Sequence, residues 1–184
     1  MGNASSLSIC PYCSSPSSPS SPTKIKDSNI YVFLGGACGT TTWRKDVAIP
    51  LLEKHGIRYY NPQVEYWKPE FVKIEKTAMD QATHLLFVMS PKTRGIATFV
   101  EVGYNLGLCP KRVVLVDLYT RNETYNSGNE EESKDVCRGR DYILDYANQM
   151  NKTVFKSIED AIKSLDWVVY LFFFFSFFFF FYIL

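Results

Sequence analysis

The chain has 184 residues and a formal net charge of +1, with acidic and basic residues interspersed. This length allows one domain of ordinary size with tails, and the balanced charge argues against a surface for nucleic acid polymers. Both ends depart from globular composition. The sequence therefore predicts a Ser/Pro-rich tail over 1–25, a folded domain over 26–166 and a Phe-rich apolar tail over 167–184.

The N-terminal segment, MGNASSLSICPYCSSPSSPSSPTK, is rich in Ser and Pro. Such a segment buries too little apolar surface to fold, so we expect it to be disordered. Its start fits a myristoylation pattern with Gly2 as the acceptor, and Cys10 and Cys13 are candidate palmitoylation sites that would supply a second anchor. The CPYC string also resembles a redox motif, but the Ser/Pro run after it cannot form the helix that lowers the pKa of such a thiol.

The C-terminal segment, WVVYLFFFFSFFFFFYIL, has no charged residue from Trp167 to Leu184. It reaches the length of about 18 apolar residues expected of a membrane span. Two interpretations remain: a membrane anchor that leaves the domain on the cytosolic face, or a low-complexity tract without an evolved role. Five cysteines, an odd number, and the lack of a cleavable signal-peptide pattern favour a reduced, cytoplasmic setting.

Short β-rich runs alternate with helical stretches between the two tails. In chain order, the sequence predicts the strands NIYVFLGG, IRYYNP, THLLFVMS, RVVLVDL and TVFK. The helices expected between and after them are TTWRKDVAIPLLEKHG, KPEFVKIEKTAMDQA, ATFVEVGYNLG, DYILDYANQM and SIEDAIKSLDWV, with a long polar loop over 119–140. This alternation is typical of an α/β, flavodoxin-like three-layer domain with a mainly parallel five-stranded sheet, in which ligands bind at the carboxyl ends of the strands.

The first strand ends in YVFLGGACGTTTWR. Gly35 and Gly36 would let the backbone approach a ligand closely, and Arg44 could offer a positive fork to a phosphate or carboxylate. Trp43 is a candidate for stacking on a base, although a packed core Trp fits as well. The spacing of a P-loop is missing, so a ligand-binding turn and a plain strand–helix connection remain equally open.

The third loop, SPKTRGIATFVEVGYNLG, contains the most informative acidic residue. Glu101 is predicted to lie in the first turn of a helix, where the helix dipole would keep it ionised and facing the crevice. An ionised Glu beside a bound sugar is what a retaining glycosyl transfer needs as its nucleophile. The alternative is a capping box formed by Thr98 and Glu101, in which the carboxylate only satisfies backbone donors.

The second strand is followed by Asn61, a candidate ligand contact or only a turn former before Pro. Asp80, on the helix that leads to the third strand, is a candidate second acid, although most such residues are solvated. Neither His55 nor His84 has a sequence partner that suggests a relay or a metal site.

Taken together, YVFLGG with TTWR, YYNPQVEYW and ATHLLFVMSPKTRGIATFVEVGYNLG resemble the nucleoside 2-deoxyribosyltransferase family, in its divergent branch. The resemblance implies a flavodoxin-like fold and cleavage of the N-glycosidic bond of a (deoxy)nucleoside or nucleotide, without a metal or organic cofactor. It implies that Glu101 is the nucleophile, that Gly35 and Gly36 form the turn on the sugar side, and that Asn61 lies near the wall that contacts the base. It also makes homo-oligomerisation plausible.

One departure from the family pattern concerns the catalytic acids. An Asp usually stands at the start of the third strand, where this chain has Thr83 and His84, with Asp80 slightly upstream. Another acid often precedes the nucleophile, and that place holds Arg94. Arg94 and Arg44 suggest a charged substrate such as a nucleoside 5′-monophosphate. The leading hypothesis is therefore a glycosidase or transferase, and the alternatives are a membrane-tethered nucleotide-binding module without turnover and a structural membrane adaptor.

Overall fold

The computed structural model describes residues 30–165, which form an α/β domain. Its five strands match the predicted runs, and each strand is two or three residues shorter than predicted. The predicted acylation sites Gly2, Cys10 and Cys13 and the Phe-rich tail lie outside the described residues, so they stay predictions. The strands are β1 (Tyr31–Gly36), β2 (Arg58–Tyr60), β3 (His84–Met89), β4 (Val113–Asp117) and β5 (Val154–Phe155).

Helices follow each strand in turn. They are α1 (Ile49–Lys54), which a π-helical turn (Arg44–Ala48) precedes, α2 (Phe71–Gln81), α3 (Ile96–Leu108), α4 (Glu130–Gln149) and α5 (158–165); a short 3-10 turn (Pro110–Arg112) leads into β4. Among residues 30–165, no helix is both long enough and apolar enough to cross a membrane.

The sheet is entirely parallel, with the strand order β2-β1-β3-β4-β5. One face packs against the π-helical turn, α1 and α5 through residues such as Leu52 and Ile162. The other packs against α2, α3 and α4 through residues such as Ala78, Val102 and Ile143. The flavodoxin-like, three-layer prediction is confirmed. The strand order reverses between β1 and β3, so the ligand crevice of such a sheet lies at the carboxyl ends of these two strands.

The predicted loop over 119–140 is wrong in its second half, because α4 already begins at Glu130. Asn129 caps this helix, and its side-chain oxygen accepts a hydrogen bond from the backbone N–H of Glu132 at 3.1 Å. The acidic run that follows places three glutamates in the first turn, where the helix dipole favours negative charge. The polar composition of this stretch concealed a capped helix start.

The π-helical turn has a local cause in Pro50. Proline has no N–H to donate and crowds the carbonyl four residues before it, so a regular α-helix is strained there. The chain widens just before this point, and the N–H of Ile49 donates to the carbonyl of Arg44, five residues back. The wider turn therefore begins at Arg44, at the mouth of the crevice.

Candidate functional site

Arg44 organises the segment that follows β1, residues 37–42, which we call the β1 loop. Its side chain is fully buried. Nε donates to the carbonyl of Leu34 at 3.0 Å, while the two Nη atoms donate to the carbonyls of Gly36 at 2.7 Å and Ala37 at 3.0 Å, and to Thr41 Oγ1 at 3.5 Å. The sequence predicted a fork for a phosphate or carboxylate. The structure shows most of the fork's donors occupied by β1 and the loop that follows it.

The glycine pair and Trp43 lie beneath the β1 loop. A side chain at Gly35 would collide with the ring of Phe87, because an added Cβ would lie 2.2 Å from it. Gly36 has a φ of +135°, and an added Cβ there would lie 3.3 Å from the ring of Trp43. Trp43 is only 8% exposed and has the Arg44 guanidinium 4.3 Å above its ring. These residues set the shape of the loop. Their direct contact with a ligand stays a prediction.

Asn61 forms a turn that places Gln63 against the same loop. Its Oδ1 accepts a hydrogen bond from the backbone N–H of Gln63 at 3.0 Å. The side-chain amide of Gln63 then reaches the loop carbonyls of Cys38 at 2.8 Å, Gly39 at 3.1 Å and Thr41 at 3.0 Å. Sequence reasoning did not single out Gln63, because nothing local shows a contact with residues more than 20 positions away.

Glu101 is half-buried in α3, and its position differs from the predicted one. The helix begins at Ile96 with Gly95 as its N-cap, so Glu101 lies in the second turn and Thr98 is inside the helix. The capping-box interpretation is therefore wrong. Burial and the nearby charge of Glu75 raise the pKa of Glu101 to about 7, and the positive charge of Arg44 opposes this rise. The expectation that the helix dipole keeps Glu101 ionised does not hold.

Glu75 of α2 is the acidic neighbour of Glu101. It is half-buried on the helix face that also carries Phe71, Ala78 and Met79. Burial raises the pKa of Glu75 as well, again opposed by Arg44. Sequence reasoning missed Glu75, although a signal was present: its spacing from Phe71, Ala78 and Met79 places a carboxylate within the apolar stripe of the helix.

The direction of α2 explains why Glu75, and not Asp80, lies near Glu101. A helix that follows a parallel strand runs back along the sheet, so its first turns lie at the carboxyl ends of the strands. Asp80 follows Glu75 by five residues, so it lies about 7.5 Å further along the helix axis than Glu75 and about 140° around that axis from it. Its carboxylate is exposed and pairs with Lys76 at 3.2 Å. The structure does not bring Asp80 to Glu101.

The start of β3 is equally remote from the crevice. Thr83 bonds with the backbone N–H of Tyr31 at 2.8 Å, at the amino end of β1. A side chain at that edge cannot serve a ligand held beside Glu101. Thr83 and His84 therefore lie at the edge of the sheet opposite to the crevice.

Arg94 also lies apart from Glu101. Its Nε is 2.6 Å from the carboxylate of Glu132, in the first turn of α4, and 62% of its side chain is exposed. The structure brings together Glu101, Arg44 and the turn formed by Asn61, while Asp80 and Arg94 engage in ion pairs elsewhere. The predicted ligand contact of Arg94 stays a prediction.

Tyr60 completes the wall on the side of β2. Its ring stacks on Phe33, with the centroids 5.7 Å apart and the planes inclined by 10°. Burial and the charge of Glu75 raise its pKa, so the hydroxyl remains protonated at neutral pH. An aromatic ring near Glu75 and a loop with open backbone donors offer contacts for both a base and a sugar.

A second charged cluster closes the sheet at the end of β4. Asp117 is fully buried and accepts two hydrogen bonds from Arg140, at 2.9 and 2.6 Å, and one from Lys156 at 2.6 Å. These donors lower its pKa despite the burial. The cluster ties α4 and the segment after β5 to the sheet. Among residues 30–165, no group of three or more His, Cys, Asp or Glu side chains is arranged to hold a metal ion.

The comparison with protein families identifies the domain. Residues 29–119 match the family model described as nucleoside 2-deoxyribosyltransferase like. The chain therefore belongs to this family, and the matched region contains β1 to β4 with the β1 loop, Glu75 and Glu101. The comparison with curated proteins found no match. The family resemblance inferred from the sequence is confirmed.

Proposed function

We propose that this domain cleaves the N-glycosidic bond of a (deoxy)nucleoside or nucleoside 5′-monophosphate, with Glu101 as the nucleophile. The observation that supports this most strongly is the position of Glu101, half-buried at the crevice within the electrostatic influence of both Glu75 and Arg44. Family membership supplies the substrate class. A buried carboxylate next to a second one is a combination that structural stability alone does not favour.

The proposed reaction begins with ionised Glu101. Its carboxylate oxygen attacks C1′ of the sugar, the C1′–N bond breaks, and the bonding electrons leave with the base. The departing base then takes up a proton. Water or a second base then attacks C1′ of the glycosyl-enzyme and gives its proton to the carboxylate that protonated the departing base. The bond from C1′ to Glu101 breaks, its electrons return to the Glu101 carboxylate, and the result is hydrolysis or transfer.

Glu75 is the acid that we propose for the departing base. Because a charge on Glu75 makes ionisation of Glu101 harder, the two carboxylates together retain a proton towards neutral pH. Because Glu101 titrates against a charged Glu75, the resting pair holds this proton on Glu101. In the reactive form that we propose, the proton lies on Glu75, which leaves Glu101 free to attack and provides an acid for the base. Glu75 takes the role in which the sequence suggested Asp80.

The test is release of free base. Full-length wild type, Glu101→Gln and Asp80→Asn would be incubated with a panel of nucleosides and 5′-monophosphates, and free base would be followed by chromatography. We expect release from at least one substrate by wild type and Asp80→Asn, and release that is slower by roughly 10³-fold or more by Glu101→Gln. Addition of a second base then separates transfer from hydrolysis.

The alternative is a nucleotide-binding module without turnover. It is favoured by one observation: Arg94 and Asp80, expected to assist at the site, are engaged in ion pairs elsewhere. A binding module should be stabilised thermally by its nucleotide in both wild type and Glu101→Gln, without release of base. A structural adaptor predicts no shift with any ligand.

We further propose that the domain works on the cytosolic face of a membrane. This rests on the sequence of the N-terminal tail, with Gly2 as the myristoylated residue and Cys10 and Cys13 as palmitoylated ones. Gly2→Ala should shift the protein from the membrane to the soluble fraction of cells. Retention of Gly2→Ala on membranes would assign the anchoring, if any, to the Phe-rich tail.

A further inference from the structure

Two side chains bind most of the carbonyl groups at the end of β1 and in the β1 loop. Arg44 donates hydrogen bonds to the carbonyls of residues 34, 36 and 37, and Gln63 donates to those of residues 38, 39 and 41. Since three backbone acceptors surround the amide of Gln63, its nitrogen must be the atom that faces the loop. Arg44 thus holds the end of β1 and the start of the loop, and Gln63 holds the rest of the loop.

The backbone N–H groups of the loop are consequently directed elsewhere. In a trans peptide the C=O and the following N–H point in opposite directions, and the described chain has no cis peptide. The bound carbonyls therefore turn the N–H groups of residues 37–40 and 42 away from Arg44 and Gln63. None of these N–H groups donates a hydrogen bond to any acceptor within residues 30–165.

We propose that Gln63 is a positioning residue, which holds the β1 loop so that its N–H groups face acceptor oxygens of the substrate. The inference rests on the proposed function for its substrate, since the loop borders the crevice of Glu101. Arg44 alone cannot hold the whole loop, because within the loop it bonds only to the carbonyl of Ala37 and to Thr41 Oγ1. Without Gln63, the segment from Cys38 to Thr41 loses its three backbone anchors.

Cys38 supplies a probe of the loop that does not depend on turnover. Its thiol lies in the loop, half-buried, 3.6 Å from the carbonyl of Gly36, and burial raises its pKa. A thiol in this state reacts slowly with iodoacetamide, and release of the loop exposes it. Cys137 is also half-buried, but it lies in α4 and serves as the internal reference.

The experiment compares full-length wild type with Gln63→Ala and the isosteric Gln63→Glu, which cannot donate a hydrogen bond. Gln81→Ala, at the exposed end of α2, is the matched control. Alkylation of each cysteine would be followed by peptide mass spectrometry. We expect both Gln63 variants to accelerate modification of Cys38 at least about fivefold, with Cys137 unchanged. On a substrate that wild type cleaves, KM should rise about tenfold and kcat should change less than about threefold.

The outcomes are separable. An unchanged Cys38 rate in folded Gln63→Ala and Gln63→Glu overturns the positioning role. A raised KM with an unchanged Cys38 rate overturns it as well and makes Gln63 a direct ligand contact. If wild type releases no base from any substrate, the proposed function fails, and the Cys38 rates alone still decide whether Gln63 holds the loop.

Discussion

Glu75 of α2 and Glu101 of α3 lie close enough for the charge of one to raise the pKa of the other. The two helices are consecutive, and both begin at the carboxyl end of the parallel sheet. Arg44 acts on both carboxylates from the β1 side. The crevice therefore holds two acids against one buried cation that is already committed to backbone carbonyls.

The first prediction concerns Glu101 and stability. In the folded protein its pKa is about 7 instead of 4.5, so the folded state binds the proton more tightly than the unfolded one. Stability is then lost as the pH rises from 4.5 to 7. Glu101→Gln removes this cost, so at pH 8 the variant should be more stable by up to about 3 kcal/mol, at about 1.4 kcal/mol per pKa unit.

Urea unfolding of wild type and Glu101→Gln at pH 4 and pH 8 measures this difference. The two proteins should be nearly equal at pH 4, where Glu101 is protonated in both states. A variant less stable than wild type at pH 8 would show that the Glu101 carboxylate is stabilised by its surroundings.

The second prediction concerns the coupling of the two carboxyl groups. Glu75→Gln removes the like charge, so the pKa of Glu101 should fall below 7 but stay above 4.5, because burial remains. The change is measured by carboxyl-carbon NMR as a function of pH, with the Glu101 signal assigned from its loss in Glu101→Gln. Asp80→Asn is the control and should leave the Glu101 titration in place. An equal shift in both variants would contradict the pairing of Glu75 with Glu101.

The third prediction separates the two arginines that the sequence placed at the ligand. Arg44→Lys should lower the free energy of unfolding by about 2–4 kcal/mol, since one ammonium group cannot reach carbonyls on three sides. Arg94→Lys should change it by less than about 0.5 kcal/mol, because its ion pair is exposed. Urea denaturation at pH 7 measures both. Equal effects of the two substitutions would contradict the conclusion that Arg44 holds the β1 loop in place.

The fourth prediction concerns the cluster at the end of β4. Arg140→Met leaves the buried carboxylate of Asp117 with Lys156 alone and should cost about 2–4 kcal/mol at pH 7. Arg138→Met, which removes only an exposed ion pair with Asp135, is the control on the same helix.

The sign of the pH dependence checks this assignment. Arg140 and Lys156 lower the pKa of Asp117 below its usual 3.8, so their contribution is complete above that value and is lost as the pH falls through the lower, folded pKa. The difference between wild type and Arg140→Met should therefore shrink below pH 3.8. A difference that stays constant down to pH 2 would contradict it.

The fold was predictable because strands and helices alternate with clear apolar patterns, which determine a parallel three-layer arrangement. The polar composition of Asn129 and the acidic residues after it predicts a loop, and this conceals the start of α4 at Glu130. The burial of Glu75 could have been predicted, because its position falls within the apolar stripe of α2. The role of Gln63 could not have been predicted, since it depends on where the second strand lies beside the β1 loop.

Residue type alone also does not distinguish a structural arginine from an exposed one. Arg44 and Arg94 look alike in a sequence, yet one is fully buried and bound to carbonyls and the other is mostly exposed. Only the burial and the partners of each side chain separate them. The same holds for Asp80 and Glu75, which lie on one helix but on different faces of it.

The most direct test of the account is release of base by full-length wild type and Glu101→Gln on the same panel of nucleosides and 5′-monophosphates. The account predicts that wild type releases base from at least one substrate and that Glu101→Gln is slower by roughly 10³-fold or more, although it remains folded. Equal release by both proteins would contradict the role of Glu101. No release by folded wild type from any substrate would contradict the proposed reaction itself.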